Sequence, residues 1–392
     1  MLESVIAQKE PETPKVAGAA YAVRQGLLLL SVPHEERHQD ALQKRVGAIC
    51  DALKADSRVN DLQRPPHRPH QSRVVIMYPR ITSESELDAL SGNDHIHTFR
   101  LSDPIEFRVT VASENQPEFR GYKNIPKGSY WVAWDGVVLI VLWEQSSDKG
   151  VSRAGGRVVT DVLEEAVAKA GGQTYTQACS PGCLNRFTHT DVILTTAGVA
   201  HPKARSGLHV VHREELLGPV AELRLWFDFI GYPFFLFANY KNHARRIRDL
   251  VSLSGKRLTS MLKLHQQHSV TSMLKFPDRL RKIRAMRGWR RSAELQMADV
   301  WLASAAIEVL RREWDEERRR FKDKIQGPSI APLFQLDFAD DESAIDSIDM
   351  SLARDALAHS SSRLDTRTMV LVTAFVGLAG LIGAILGAAL AS

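Results

Sequence analysis

Two β-rich runs, Tyr130–Trp134 and Val137–Trp143, are separated only by Asp135 and Gly136. Asp-Gly is the preferred chemistry of a two-residue hairpin, because both turn positions need positive φ and these residues reach it at low cost. The spacing therefore predicts two antiparallel strands turning at Asp135–Gly136, and any fold for this chain has to contain them.

The surrounding pattern predicts an α+β domain over 19–205, after a disordered segment over 1–18. The run from Tyr21 to Val32, closed by Pro33, reads as a strand, and Leu42, Val46, Ile49 and Leu53 share one face of a helix that also holds Cys50 as a packing residue. VVIMYPR from Val74, FRVTVAS from Phe107 and DVILTT from Asp191 read as strands, and Val159, Val162, Leu163, Ala166 and Val167 as a helix face ended by Gly171 and Gly172. A hairpin inside an alternation of strands and helices points to a mixed or antiparallel sheet.

Past Glu214 the chain turns helical and basic, giving a second domain over 214–326. Leu223, Trp226, Phe227, Ile230, Phe234, Phe235 and Phe237 form an apolar aromatic stretch interrupted by Asp228, Gly231 and Pro233. It reads either as a helix–helix core or as a segment lying in a membrane interface. Lys241, Arg245, Arg246, Arg248, Lys256, Arg257, Lys263, Arg279, Arg281, Lys282, Arg284, Arg287, Arg290 and Arg291 follow, with Asp249 and Asp278 the only acids between Lys241 and Arg291. The whole chain carries a net charge of +5, so charge is segregated along it. An anionic membrane leaflet suits such a block. Pairing with the chain's own acids is the rival reading, and no recognisable nucleic-acid motif accompanies the block. Ala293–Ile325 reads as a strong helix, striped by Ile307, Leu310, Trp314, Phe321 and Ile325, that forms a hairpin or coiled coil with the helix around Arg245. An acidic linker is expected over 327–350, through Asp337, Asp340, Asp341, Glu342, Asp346 and Asp349, then a juxtamembrane helix over 351–367.

From Thr368 to Ser392 no side chain is charged, and the run Met369–Ala391 has the length of a bilayer-spanning helix, at about 1.5 Å per residue across ~30 Å of hydrocarbon. This gives the expectation of a single-pass tail anchor over 368–392. Arg363 and Arg367 precede the run and no basic residue follows it, which sets the N-terminus in the cytoplasm of a cytoplasmic membrane. The sequence MLESVIAQKEPETPK lacks the pattern of a secretory signal, and three cysteines provide no disulfide framework. Within the run Ala379, Gly383, Gly387 and Ala391 recur every fourth residue, a small-residue face that favours packing into a homo-oligomer.

Catalytic chemistry has one candidate. Gln177, Ala178, Cys179, Ser180, Pro181 and Gly182 resemble the nucleophile signature of caspases, with a proline inserted so that the glycine falls one place late. The resemblance implies a thiol enzyme using Cys179, but no Gly-rich histidine setting accompanies it. Cys179, Cys183, His189 and His201 do not match a standard zinc spacing, His67 and His70 lie in a Pro-rich loop, and His265 and His268 share a helix face without carboxylates. No metal, no cofactor, no P-loop, no dinucleotide loop and no Gly-X-Ser-X-Gly elbow is expected. A cytoplasmic α/β part and long helices ahead of a membrane segment is an order similar to CorA-type channels, whose two spans and Gly-Met-Asn tripeptide this sequence lacks.

The sequence reading is therefore a membrane-tethered, non-enzymatic sensing or scaffold component, with a protein partner for its α+β domain. Its alternatives are a membrane-perturbing effector of a bacterial defence or cell-death system, oligomerising through the Gly-rich tail, and a caspase-like or other thiol enzyme using Cys179.

Overall fold

The computed structural model describes residues 20–32, 39–65, 73–77, 96–111, 128–145, 155–176, 187–196, 208–269, 276–327, 330–351 and 355. The expected N-terminal segment 1–18 and membrane run 368–392 lie outside them. Among the described residues no helix is long and apolar enough to cross a membrane.

The fold is α+β with a mixed sheet. Its elements run β1 (Ala20–Val32), α1 (Gln39–Lys54), β2 (Val59–Gln63), β3 (Arg73–Met77), β4 (Ile96–Arg100), β5 (Ile105–Val111), β6 (Gly128–Trp134), β7 (Val138–Gln145), α2 (Gly155–Lys169), β8 (Gln173–Thr176), β9 (Asp191–Thr196), β10 (Leu208–Arg213), α3 (Pro219–Ser269), α4 (Phe276–Lys324) and α5 (Ala331–Asp346). The strand order is β10-β9-β1-β7-β6-β5-β2, and the far end of β1 also pairs with β8 and β4. All pairings are antiparallel except β9 with β10. β1 is thus shared by two sheets: Ala20–Leu27 pair with β7, and Leu28–Ser31 with β8. Its apolar composition follows, since its residues from Ala20 to Leu30 are all buried.

The hairpin forms between β6 and β7, with Trp134 opposite Leu139, but its turn is shifted by one residue. Asp135 and Val138 face each other, the Asp135 N–H donating to the Val138 carbonyl at 3.3 Å, so Gly136 and Val137 are the central pair. Only Gly136 has positive φ, +89°, as in turns with glycine at the first central position. The shift has a local cause. One Asp135 carboxylate oxygen accepts from the Val137 and Val138 N–H groups at 2.9 and 2.7 Å, which holds aspartate at the strand end instead of in the turn.

Two helices cover one face of the sheet. Leu42, Ile49, Cys50 and Leu53 of α1 and Val158, Val159, Val162, Leu163, Ala166 and Val167 of α2 join Ala22, Leu28, Val132, Trp134 and Val141 in one apolar cluster. α2 stops as its glycines require. Gly171 adopts φ +73°, its N–H donates to the Ala168 carbonyl and the Gly172 N–H to the Val167 carbonyl, both at 2.9 Å. This closes the last turn by a Schellman motif, and Arg45 of α1 donates to the Ala170 carbonyl at 3.0 Å.

The chain divides into two compact units. Unit 1 holds the described residues up to Met77, from Ile96 to Lys241 and from Arg319 to Asp341; unit 2 holds those from Asn242 to Arg318 and from Glu342 onward. The first part of α3 therefore belongs with the sheet. In unit 1 it lies on the other sheet face, where Arg224 grips Glu106 of β5 with bonds of 2.8, 3.0 and 2.8 Å and Tyr21 of β1 donates to the Leu217 carbonyl at 3.1 Å.

The expected interruptions at Asp228, Gly231 and Pro233 do not break α3. Leu223, Trp226, Phe227, Ile230, Phe234, Phe235 and Phe237 are all buried, and burying that much apolar area outweighs the local penalties, about 1 kcal/mol for glycine and 3 for proline. The stretch is core, not an interfacial segment. The expected acidic linker is α5, a helix. Leu333 and Phe334 are fully buried, Phe334 packs 4.6 Å from Phe234 and 5.0 Å from both Phe237 and Phe321, and its acids meet bases. Lys241 pairs with Asp341 in unit 1 at 2.6 Å, and Arg318 lies 3.5 and 3.7 Å from Glu342 and Asp346 in unit 2.

Unit 2 contains an antiparallel pair of helical segments. His243 lies 3.5 Å from Glu313 and Arg257 lies 3.7 Å from Asp299. Moving fourteen residues forward on α3 moves the partner fourteen residues back on α4. The buried faces are Ala244, Ile247 and Leu250 on α3 and Val300, Ala303, Ile307 and Trp314 on α4.

Candidate functional site

Three ion pairs inside unit 1 fix its layers, and each cation lies over an aromatic ring. Arg24 of β1 meets Asp191 of β9 at 2.8 Å, with side chains 6% and 5% exposed; Arg24 sits 4.8 Å from the Phe187 ring centre. The register puts Val23 opposite Val192, so Arg24 and Asp191 are the next antiparallel position along, where opposite charges attract across strands. Arg100 of β4 meets Asp135 at 2.7 Å and lies 5.1 Å from the Phe235 ring of α3. Lys241 of α3 meets Asp341 of α5 and lies 5.5 Å from Phe237. Burying a charge is costly unless it is paired and hydrogen-bonded, so these pairs specify which strand and helix lie together.

The Asp135 turn is enclosed by protein. Its backbone carbonyl accepts from the Leu101 N–H at 2.7 Å, while Leu28 and Leu30 of β1 donate to the Val137 and Gly136 carbonyls at 3.0 and 2.8 Å. A Cβ at Gly136 would stand 2.3 Å from the Phe99 carbonyl oxygen. Loops normally run over the surface because their polar backbone needs partners; this one is inside because each named group has one.

The sequence-predicted residues are placed as follows. Lys241 and Arg246 are buried, 3% and 7% exposed, and Asn242 between them 1%. Lys241 is a core partner of Asp341, so it is removed from the surface set, as is Arg246. Arg245, Arg248 and Arg257 are half-buried, and Lys256 and Lys263 are exposed. Arg279, Arg281, Lys282, Arg284, Arg287, Arg290 and Arg291 lie along α4, with side chains outside the described residues. Cys179 and Cys183 lie outside them too, as do the packing residues Ala379, Gly383, Gly387 and Ala391. Cys50 is buried in α1, and burial pushes its thiol up to about 11, so at neutral pH it is a protonated packing group. Among the described residues no group of three or more His, Cys, Asp or Glu side chains is arranged to hold a metal ion.

A second stripe on α3 escapes the sequence reading. Leu225, Phe229 and Tyr232 are 45, 39 and 43% exposed and follow one another at helical spacings of four and three, so they share one face. Buried neighbours hold the rings in place: Phe229 lies 5.5 Å from Trp226, and Tyr232 stacks 6.5 Å from Phe235. Exposed Arg224 and Asp228 and the Lys324 ammonium, 6.0 Å over Tyr232, form a rim of both signs. The spacing was legible, but it interleaves with the buried stripe on the same turns, and only the position of the sheet separates the two. Ordered aromatic side chains inside a polar rim are the composition of a protein-binding surface.

Compared with known proteins, the chain has no match: no protein family, no curated protein and no solved structure is similar to it.

Proposed function

We propose that this protein is a membrane-tethered, non-enzymatic sensing or scaffold component: the run Thr368–Ser392 spans a cytoplasmic membrane once, and the α+β unit on the cytoplasmic side holds a protein partner. The observation that carries the reading is the uncharged run itself, whose length matches a bilayer and which Arg363 and Arg367 precede. Support for the second half comes from the stripe Leu225, Phe229 and Tyr232 on α3. Its rim carries both charges, which suits a polypeptide better than a uniformly anionic lipid surface. Exposed basic residues such as Lys256 and Lys263 contribute attraction to anionic headgroups, at about 1 kcal/mol each when close to the surface.

A second reading, a membrane-perturbing effector, is favoured by one feature: the face Ala379, Gly383, Gly387 and Ala391 lets spanning helices approach closely and assemble. Expressing the full chain and measuring dye entry and membrane potential separates the two. A scaffold leaves both unchanged at any expression level, whereas depolarisation abolished by Gly383→Leu and Gly387→Leu rejects it in favour of the effector.

A further inference from the structure

The α4 segment in unit 2 is apolar on two sides. Its buried side, Met297, Val300, Ala303, Ile307 and Leu310, is the expected core face. On the opposite side Leu295 and Val309 are 61 and 53% exposed, and between them Ala298, Leu302 and Ala306 are partly exposed. Leu295, Leu302 and Val309 are spaced by seven, the period of a helix–helix seam. Trp301, 40% exposed, stands at its edge.

We infer that this seam pairs with the same seam of a second copy, antiparallel, about a two-fold axis through Leu302. The pattern is its own mirror: Ala298 and Ala306 lie four residues to either side of Leu302, and Leu295 and Val309 seven. Reversing one copy therefore sets large against large and small against small, the self-complementarity an isologous contact demands. Charge selects the direction. Antiparallel pairing lays residues 287–291, with three arginines and no acid, beside the partner's 313–317, four acids flanked by arginines at 311–312 and 318–320, of which Glu313 and Asp315 also meet His243 and Arg318 within their own chain. Parallel pairing lays each segment on its own kind, and like charges in register destabilise. The two alanines let the backbones come close, and Trp301 covers the edge as an aromatic anchor. The seam is separate from the membrane run and does not depend on the proposed function.

Single cysteines added to the full chain, with Cys179 and Cys183 replaced by serine and the buried Cys50 kept, test this in mild detergent. A thiol crosslinker much shorter than the roughly 21 Å from residue 295 to 309 along a helix is used. Leu302→Cys is expected to couple to itself, Leu295→Cys and Val309→Cys each to stay uncoupled alone, and the two co-expressed to couple to each other. The double variant Leu295→Lys, Val309→Lys halves the particle mass while helical circular dichroism is retained, and Gly383→Leu leaves the coupling intact. Self-coupling of Leu295→Cys, no coupling of Leu302→Cys, or a double variant that keeps the wild-type mass overturns the inference.

Discussion

Gly136→Ala puts a methyl group where the Phe99 carbonyl oxygen is 2.3 Å away, on a backbone at φ +89°. Neither the strand end nor β4 can give way without losing bonds, so the substitution is expected to cost about 2–4 kcal/mol. It is read as a lower urea midpoint with unchanged slope; a midpoint equal to wild type contradicts the enclosed turn. His209 in β10 supplies a pH effect. Burial lowers its pKa from 6.5, so below 6.5 the unfolded chain binds a proton that the native state binds less readily. Stability from this group is complete above 6.5 and is lost as pH falls toward the lowered value. His209→Gln is expected to flatten the fall of melting temperature over that window, and an unchanged slope rejects the assignment. At this scale the sequence identified Asp135 and Gly136 as turn residues but misplaced the turn by one. The capping role of the Asp135 carboxylate depends on Arg100, thirty-five positions back, and no local propensity encodes that partner.

Among the elements, the sequence pattern found β1, α1, β3, β5, the β6–β7 hairpin, α2 and β9, because each carries enough consecutive apolar residues to show its period. The short strands β2, β4, β8 and β10, of four to six residues, were not legible. Each is defined by the neighbour it pairs with, and β2 is an edge strand with only two half-buried positions near its ends. α5 was read as a linker because its acids dominate the composition; in the fold Asp341 is neutralised by Lys241, and Phe334 fills an aromatic cluster. Removing one member of such a buried pair strands the other, at about 3–5 kcal/mol. Lys241→Met and Asp341→Leu singly are expected to lose that much, and the double variant to recover most of it. A double-mutant cycle in urea reads the coupling, and additive losses argue that the pair contributes no specificity.

At the scale of the molecule, an α+β unit held by internal ion pairs presents an ordered aromatic stripe, a helical unit presents a heptad seam, and the sequence after Arg367 carries an uncharged run. Of these three features only the last was picked out from the sequence, since length and absence of charge need no tertiary partner to be recognised. Both exposed stripes were hidden because each shares a helix with a buried one. Membrane attachment through 368–392 is the central proposal, and the direct measurement is flotation on a lipid gradient after alkaline extraction, comparing the full chain with a version ending at Arg367. The full chain is expected to float with the lipid and the shortened chain to stay in the soluble fraction, still folded by circular dichroism. A full chain extracted into the soluble fraction, or a shortened chain that still floats, contradicts the account.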